Sequence, residues 1–483
     1  VILPGNSPGE EQQQQQQQQC PHQEEQQQRQ HHDPVLQLQS LVISYASSAL
    51  LKQMPAAALT YLDFVTLPTE HPGKVAAAVA QLTGLRSLAM SLHRTNTAPK
   101  ALRKWKQRSN TLIAAVNANF SRLKTLKLRN WADLGGLQDL PPQLQELHVH
   151  FPDSIFLSLT AAYGLSRLTL LTDLSISGLC FGPLAVGSGS TSSSGGSWCQ
   201  QQQQLFPSSL RRLNLPNCQP TVEPLLGLQD LQHLVMTCTT VPGQQLLQLG
   251  KALPRLMEVR LEYECDGMAL SAAPGWTALP VKDLLFDDTI STAVLASVGR
   301  LSGLTSLRVY DVDATPRQVA AALQQLTALK ELFLHAFAMS HKAAVPEPAV
   351  GAQGMALLLE VIASRPALSS LVLGVSLGVL HYQQWSEGLG CQLSAATQLQ
   401  VLHLAYCGLT DSTVMFLTQH LCGLQELALN SNSQVSDEVL PCIASNLVRL
   451  TELDVRDTGV TPAGLQHLQG IMSSGRTLLV RSG

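Results

Sequence analysis

Charge and rings are both scarce in this sequence: only 13% of residues are Asp, Glu, Lys or Arg, and only 5% are aromatic. With 483 residues, the chain exceeds what one compact core usually serves, so several domains or a repeat array is expected. A basic excess is missing too. The net charge is −3, whereas nucleic-acid binders usually carry a strongly basic face, so no nucleic-acid partner is expected. No run of about 18 apolar residues occurs, so no membrane span is expected. The ten cysteines are scattered from Cys20 to Cys442 without a CxxC pair. A disulfide scaffold would concentrate them, so free thiols in a reducing compartment are expected. Phosphate loops, G-x-S-x-G elbows, HExxH helices and kinase signatures are all lacking, so neither a catalytic residue nor a cofactor is expected. The single sequon, Asn119-Phe120-Ser121, shifts the compartment expectation little. The chain starts at Val1 with no recognisable signal peptide, which leaves room for an upstream module.

What the chain has instead is leucine in a fixed pattern. The unit L-x-x-L-x-L, with conservative swaps, recurs along almost the whole length. Clear copies include Leu123-Leu126-Leu128, Leu144-Leu147-Val149, Leu210-Leu213-Leu215, Leu304-Leu307-Val309, Leu329-Leu332-Leu334, Leu399-Leu402-Leu404 and Leu450-Leu453-Val455. Weaker copies precede them at Leu59-Leu62-Phe64 and Leu85-Leu88-Met90. From Leu210 to Leu329 the first positions are 21, 25, 25, 23 and 25 residues apart.

The second and third apolar positions are two residues apart, so on a strand they share one face, and their flanking residues share the other. Three buried aliphatic side chains contribute roughly 1.5–3 kcal/mol each, most of which backbone ordering offsets. One unit cannot stand alone, but a stack can. The return segments look helical. Thr315-Pro316 and Thr461-Pro462 place an N-cap and a first-turn proline before 318–325 and 463–469. Repeats of about 25 residues leave room for helices, and shorter ones force extended or 3₁₀ returns.

On these residues the chain resembles leucine-rich-repeat proteins from about residue 35 to 483. Leu402-His403-Leu404-Ala405-Tyr406-Cys407-Gly408-Leu409-Thr410-Asp411, followed by Leu421-Cys422, is similar to the cysteine-containing subtype of F-box/leucine-rich-repeat and ribonuclease-inhibitor-like proteins. The next repeat departs from it, with Asn432 at the cysteine position and Val435-Ser436-Asp437 after it. The resemblance implies an α/β leucine-rich-repeat solenoid, a horseshoe with parallel strands on the concave face and helices on the convex face. It also implies partner recognition. No F-box is present, and the Asn-x-x-Gly-x-Ile-Pro turn of the extracellular plant subtype is missing. Cys218, Cys407, Asn432 and Thr458 occupy equivalent turn positions, where thiol or polar side chains can satisfy strand-end backbone groups.

Residues 1–34 form a glutamine-rich head that cannot bury enough apolar area to fold. The solenoid is expected over 35–483, with low-complexity insertions at 184–205 and 338–354 that each lengthen one repeat step to 39 residues.

The outward strand positions define a candidate protein-binding concave face. The column before the second leucine is acidic at Glu146, Asp173, Glu258, Asp283, Glu331, Glu426 and Glu452. The next two columns hold cations and rings in two sets. One is Lys127, Arg129, His148 and His150; the other, favoured as the contact patch, is Arg260, Glu262, Arg308, Tyr310, Phe333 and His335. His148 and His150 share a strand face but lack a third ligand, so no metal is expected. The run Arg103-Lys104-Trp105-Lys106-Gln107-Arg108 is the one strong basic cluster, expected on a solvated convex helix.

These features point to a non-catalytic protein-interaction scaffold with protein partners on the concave face. The resemblance suggests a substrate-recognition or adaptor subunit of an SCF-type ubiquitin ligase. The alternative is a structural leucine-rich-repeat protein of the cytoskeleton or ciliary axoneme. A cytoplasmic home is expected, with the cytoskeleton, axoneme or nucleus as variants. The oligomeric state is left open.

Overall fold

The computed structural model describes residues 39–482, except 46, 67–71, 93–98, 132–136, 138–139, 157–163, 181–204, 217–221, 238–240, 336–347, 375–381 and 473–477. The glutamine-rich head, nearly all of the 184–205 insertion and Cys218 lie outside the described residues. So does 338–347 of the second insertion, whose remaining residues open a helix, Pro348–Ala363.

The fold is an α/β leucine-rich-repeat solenoid. The described residues form one parallel sheet of 17 strands, from Ser40–Tyr45 to Leu479–Arg481. Each strand pairs with its neighbours in sequence, as Ser306–Asp313 does with Val281–Ser291 and Glu331–Leu334. The leucine columns set the registers: Leu126 faces Leu147, Leu307 faces Leu332, and Leu371 faces Leu402. In Thr125–Arg129 and Arg212–Leu215 the apolar positions are buried and the residues between them are not. Leu59, Leu85, Leu210, Leu304 and Leu399 are fully buried, while Leu256 and Leu478 are partly buried against the same core, so the first apolar residue of the unit closes the coil beneath the sheet.

Helices cover one side of the sheet and pack on their neighbours along the stack. Helix Pro316–Leu323 has the expected start: Thr315 and Gln318 form a capping box, with Pro316 in the first turn. Helix Pro462–Met472 begins likewise, with Gly464 N–H donating to the Thr461 hydroxyl at 3.1 Å. Among the described residues, the 21-residue step from Leu210 to Leu231 holds a 3₁₀ turn, Glu223–Leu225, and no α-helix, as a short return requires.

The turn after each C-terminal strand repeats one device. Tyr406, Ser431 and Asp457 all have φ near +55 to +61°, and the residue after each bonds back to the strand end. Cys407 Sγ contacts the carbonyls of Ala405 and Leu373 at 3.4 and 3.7 Å. Asn432 donates to Leu404 and Leu429 carbonyls at 2.7 and 2.8 Å and accepts from Leu409 N–H at 3.0 Å. Thr458 donates to Val455 O at 2.6 Å. The expected capping role of these three positions is therefore met.

One departure from the regular stack bears on the site. Strand Glu258–Tyr263 places Val259 and Leu261 beside Leu234 and Met236, but Leu261 and Tyr263 beside Leu284 and Phe286. The register advances by two residues, accommodated by an irregularity between Val281 and Asp283. Tyr263 becomes a third inward residue and fills the core with Trp276 and Phe286, its hydroxyl accepting from Trp276 Nε1–H at 2.7 Å.

Candidate functional face

The sheet face opposite the helices carries both residue sets singled out in the sequence. Lys127 and His148 are register partners on adjacent strands. Arg129 lies on the strand of Lys127, but its guanidinium spans to Asp63, both nitrogens 3.2 Å from the two carboxylate oxygens. Asp63 is only 7% exposed, so this is a largely fixed pair rather than a free cation. Sequence reading missed Asp63, which lies 66 residues away from Arg129; a lone acid between Leu62 and Phe64 was the available signal. Burial, reinforced by Lys127, lowers the His148 imidazole below its ordinary value despite Asp173 and Glu146. His150 sits opposite Ser177. Among the described residues no three His, Cys, Asp or Glu side chains form a group that could hold a metal ion.

The second set divides. Tyr310, Phe333 and His335 converge: ring centroids are 5.0 Å apart for Tyr310–Phe333, 6.0 Å for Phe333–His335 and 6.3 Å for Tyr310–His335. Tyr310 is 42% exposed, and Phe333 and His335 beside it are half-buried. Arg308, one strand from Phe333, turns toward Glu331 at 3.4 Å. Arg260 does not share the column of Arg308 and Phe333, as equal spacing implied. The register step aligns it with Asp283, to which its guanidinium lies at 3.7 Å, and Glu258 holds it at 3.0 Å. Glu262 instead aligns with Leu285, the register partner of Arg308. Burial first, and then the charge of Asp287, raise its carboxyl above the ordinary value.

Three strands separate the two sets, Asp173–Cys180, Arg212–Leu215 and His233–Thr237. Across them lies an open hollow of about 380 Å³, with His148 at one end and Arg260 at the other. Arg212, Asn214 and His233 line it and were not singled out: Arg212 and His233 interrupt the acidic column, between Asp173 and Glu258, and Asn214 lies in the next column. Charges alternate over this stretch: Arg212 lies 3.9 Å from Asp173, and His233 lies 3.2 Å from Glu258. Burial alone would raise the Glu258 carboxyl, but hydrogen bonds from Arg260 and His233 outweigh it and hold it below the ordinary value. Asn214 Oδ1 and Asp283 Oδ1 are buried acceptors with no donor among the described residues.

Among the described residues no helix is long and apolar enough to cross a membrane. The basic run at 103–108 falls in helix Pro99–Asn119, where Lys106 and Gln107 are exposed.

No protein-family model and no curated protein matches the sequence. Among solved structures, a leucine-rich-repeat protein of Leptospira interrogans superposes with a TM-score of 0.38 at 14% identity, over 91% of this chain and 99% of that one. TLR13, in its complex with ssRNA13, superposes with a TM-score of 0.40 at 15% identity, over 88% of this chain and 68% of that one. Neither match bears on what this chain binds.

Proposed function

We propose that this chain is a non-catalytic protein-interaction scaffold whose open sheet face, centred on Tyr310, Phe333 and His335, receives a partner protein. The observation that carries this reading is the ring trio itself. Three rings in mutual contact on a solvent-facing sheet surface are side chains of the kind that anchor interfaces. The hollow farther along the same face, between His148 and Arg260, is open and excludes water poorly, which suits binding better than catalysis.

Affinity purification from cells, wild type against Arg308→Ala/Phe333→Ala, tests it. Loss of one or more partners is expected. An unchanged partner list rejects the site.

The finer reading is a substrate-recognition subunit of an SCF-type ubiquitin ligase. Its support is the cysteine-type repeat from 399 to 460, with Cys407 and Asn432 serving one turn role. Co-purification of a cullin adaptor is its expected outcome; association with insoluble cytoskeleton instead would favour the structural alternative.

A further inference from the structure

The face beside the rings has a charge character that identifies its partner's chemistry. The later halves of strands Glu258–Tyr263, Val281–Ser291 and Ser306–Asp313 carry six carboxylates: Glu262 with Glu264 just beyond it, Asp287 and Asp288 at the irregularity between Phe286 and Thr289, and Asp311 and Asp313. Among the described residues none of them has a cationic partner. The nearby cations are engaged earlier on the strands, Arg260 with Glu258 and Asp283, and Arg308 with Glu331. Glu262 meets two of the others: burial first, then the charge of Asp287 and a hydrogen bond with it, raise the Glu262 carboxyl, and Glu264 adds to this. Strand Val281–Ser291, which carries Asp287, pairs directly with the strand of Tyr310, through Leu285–Arg308 and Phe286–Val309. Acid and ring are thus on adjoining strands of one uncovered face, with Tyr310 42% exposed.

Resting on the open-face reading above, we propose that this surface docks a lysine- or arginine-bearing segment of a partner protein, its cation against the Glu262–Asp287 carboxylates and over the Tyr310–Phe333 rings. Charge complementarity selects the occupant. A cation over a ring face gains from the ring quadrupole, and a carboxylate that meets the same cation adds a charge-assisted hydrogen bond. An acidic or neutral segment would leave the carboxylates opposing one another with nothing gained. Arg308 does not compete, because Glu331 draws its guanidinium toward the opposite end of the strand.

The test is fluorescence anisotropy on the full chain with two labelled probes, a peptide of alternating arginine and glycine and a matched one of alternating glutamate and glycine. Wild type is expected to bind the first and not the second. Glu262→Gln/Asp287→Asn and Tyr310→Leu/Phe333→Leu are each expected to weaken binding about fivefold or more. The leucines keep apolar area and remove the π face, and thermal melts confirm that each variant folds. Glu426→Gln/Glu452→Gln, on the same face but away from the rings, is expected to change it less than about twofold. Equal weakening by that control, no effect of the ring variant, or no binding at all overturns the proposal. The two readings separate cleanly. If Arg308→Ala/Phe333→Ala removes cellular partners while Glu262→Gln/Asp287→Asn keeps them, the open face stands and the cationic partner falls. If the first variant keeps every partner, the open-face reading falls whatever the peptide does.

Discussion

The Asp411 carboxylate accepts two hydrogen bonds from Ser436 in the following repeat, from its backbone N–H at 2.7 Å and its hydroxyl at 2.6 Å. Asp437 holds Thr461 in the same way, at 2.7 and 2.6 Å, and Asp266 accepts from Ser291 N–H at 2.7 Å. Each aspartate begins a helix or 3₁₀ turn and fixes the residue that caps the next. The bonds tie successive coils along the helical side. Asp411→Ala and Asp437→Ala are each expected to cost about 1–2 kcal/mol by urea unfolding, with Asp→Asn recovering part of it. No loss from either would show that the coils are coupled by leucine packing alone.

Asn432 is the stronger anchor, because it is buried and serves both its own turn and the previous one. Asn432→Ala would strand the Leu409 N–H and two carbonyls, at about 2–3 kcal/mol. Asn432→Cys is expected to cost less, since Cys407 already performs part of this role one repeat earlier. Equal destabilisation by the two variants in chemical denaturation would refute that equivalence.

Most of the solenoid was legible because the L-x-x-L-x-L unit states both which residues face inward and how often. The capping of Thr315 and the turn role of Asn432 were legible for the same reason, as local chemistry at fixed offsets. The two-residue register step was not. Strand Glu258–Tyr263 offers three alternating apolar residues, Val259, Leu261 and Tyr263, and either pair could meet the next strand; the irregularity after Val281 decides it. Equal spacing therefore put Arg260 in the column of Phe333, whereas its guanidinium meets Asp283. The Asp63–Arg129 pair was hidden by sequence distance, because Arg129 reaches across the intervening strand, where Ala89 leaves it room.

Acid–acid contact at the proposed site carries a pH signature. The folded-state value of Glu262 is raised above its ordinary 4.5, so the folded chain holds that proton more tightly than the unfolded one. Its protonated form stabilises the fold, and this contribution is lost as pH rises through the folded value. Glu262→Gln is therefore expected to increase stability near neutral pH, on the order of 0.5 kcal/mol for a like-charged cross-strand pair. The gain should fade as pH falls below the ordinary value. A variant less stable than wild type at pH 7 would mean that the Glu262 carboxylate is held by favourable bonds instead.

The central claim is that partners sit on the ring-bearing sheet face, and hydroxyl-radical footprinting of the chain with and without a captured partner tests it most directly. Oxidation of Tyr310, Phe333 and His335 is expected to fall several-fold on binding, while exposed Phe416 on helix Asp411–His420 stays unchanged. Protection of Phe416 with the three rings still fully reactive would place the partner on the helical side and contradict the account.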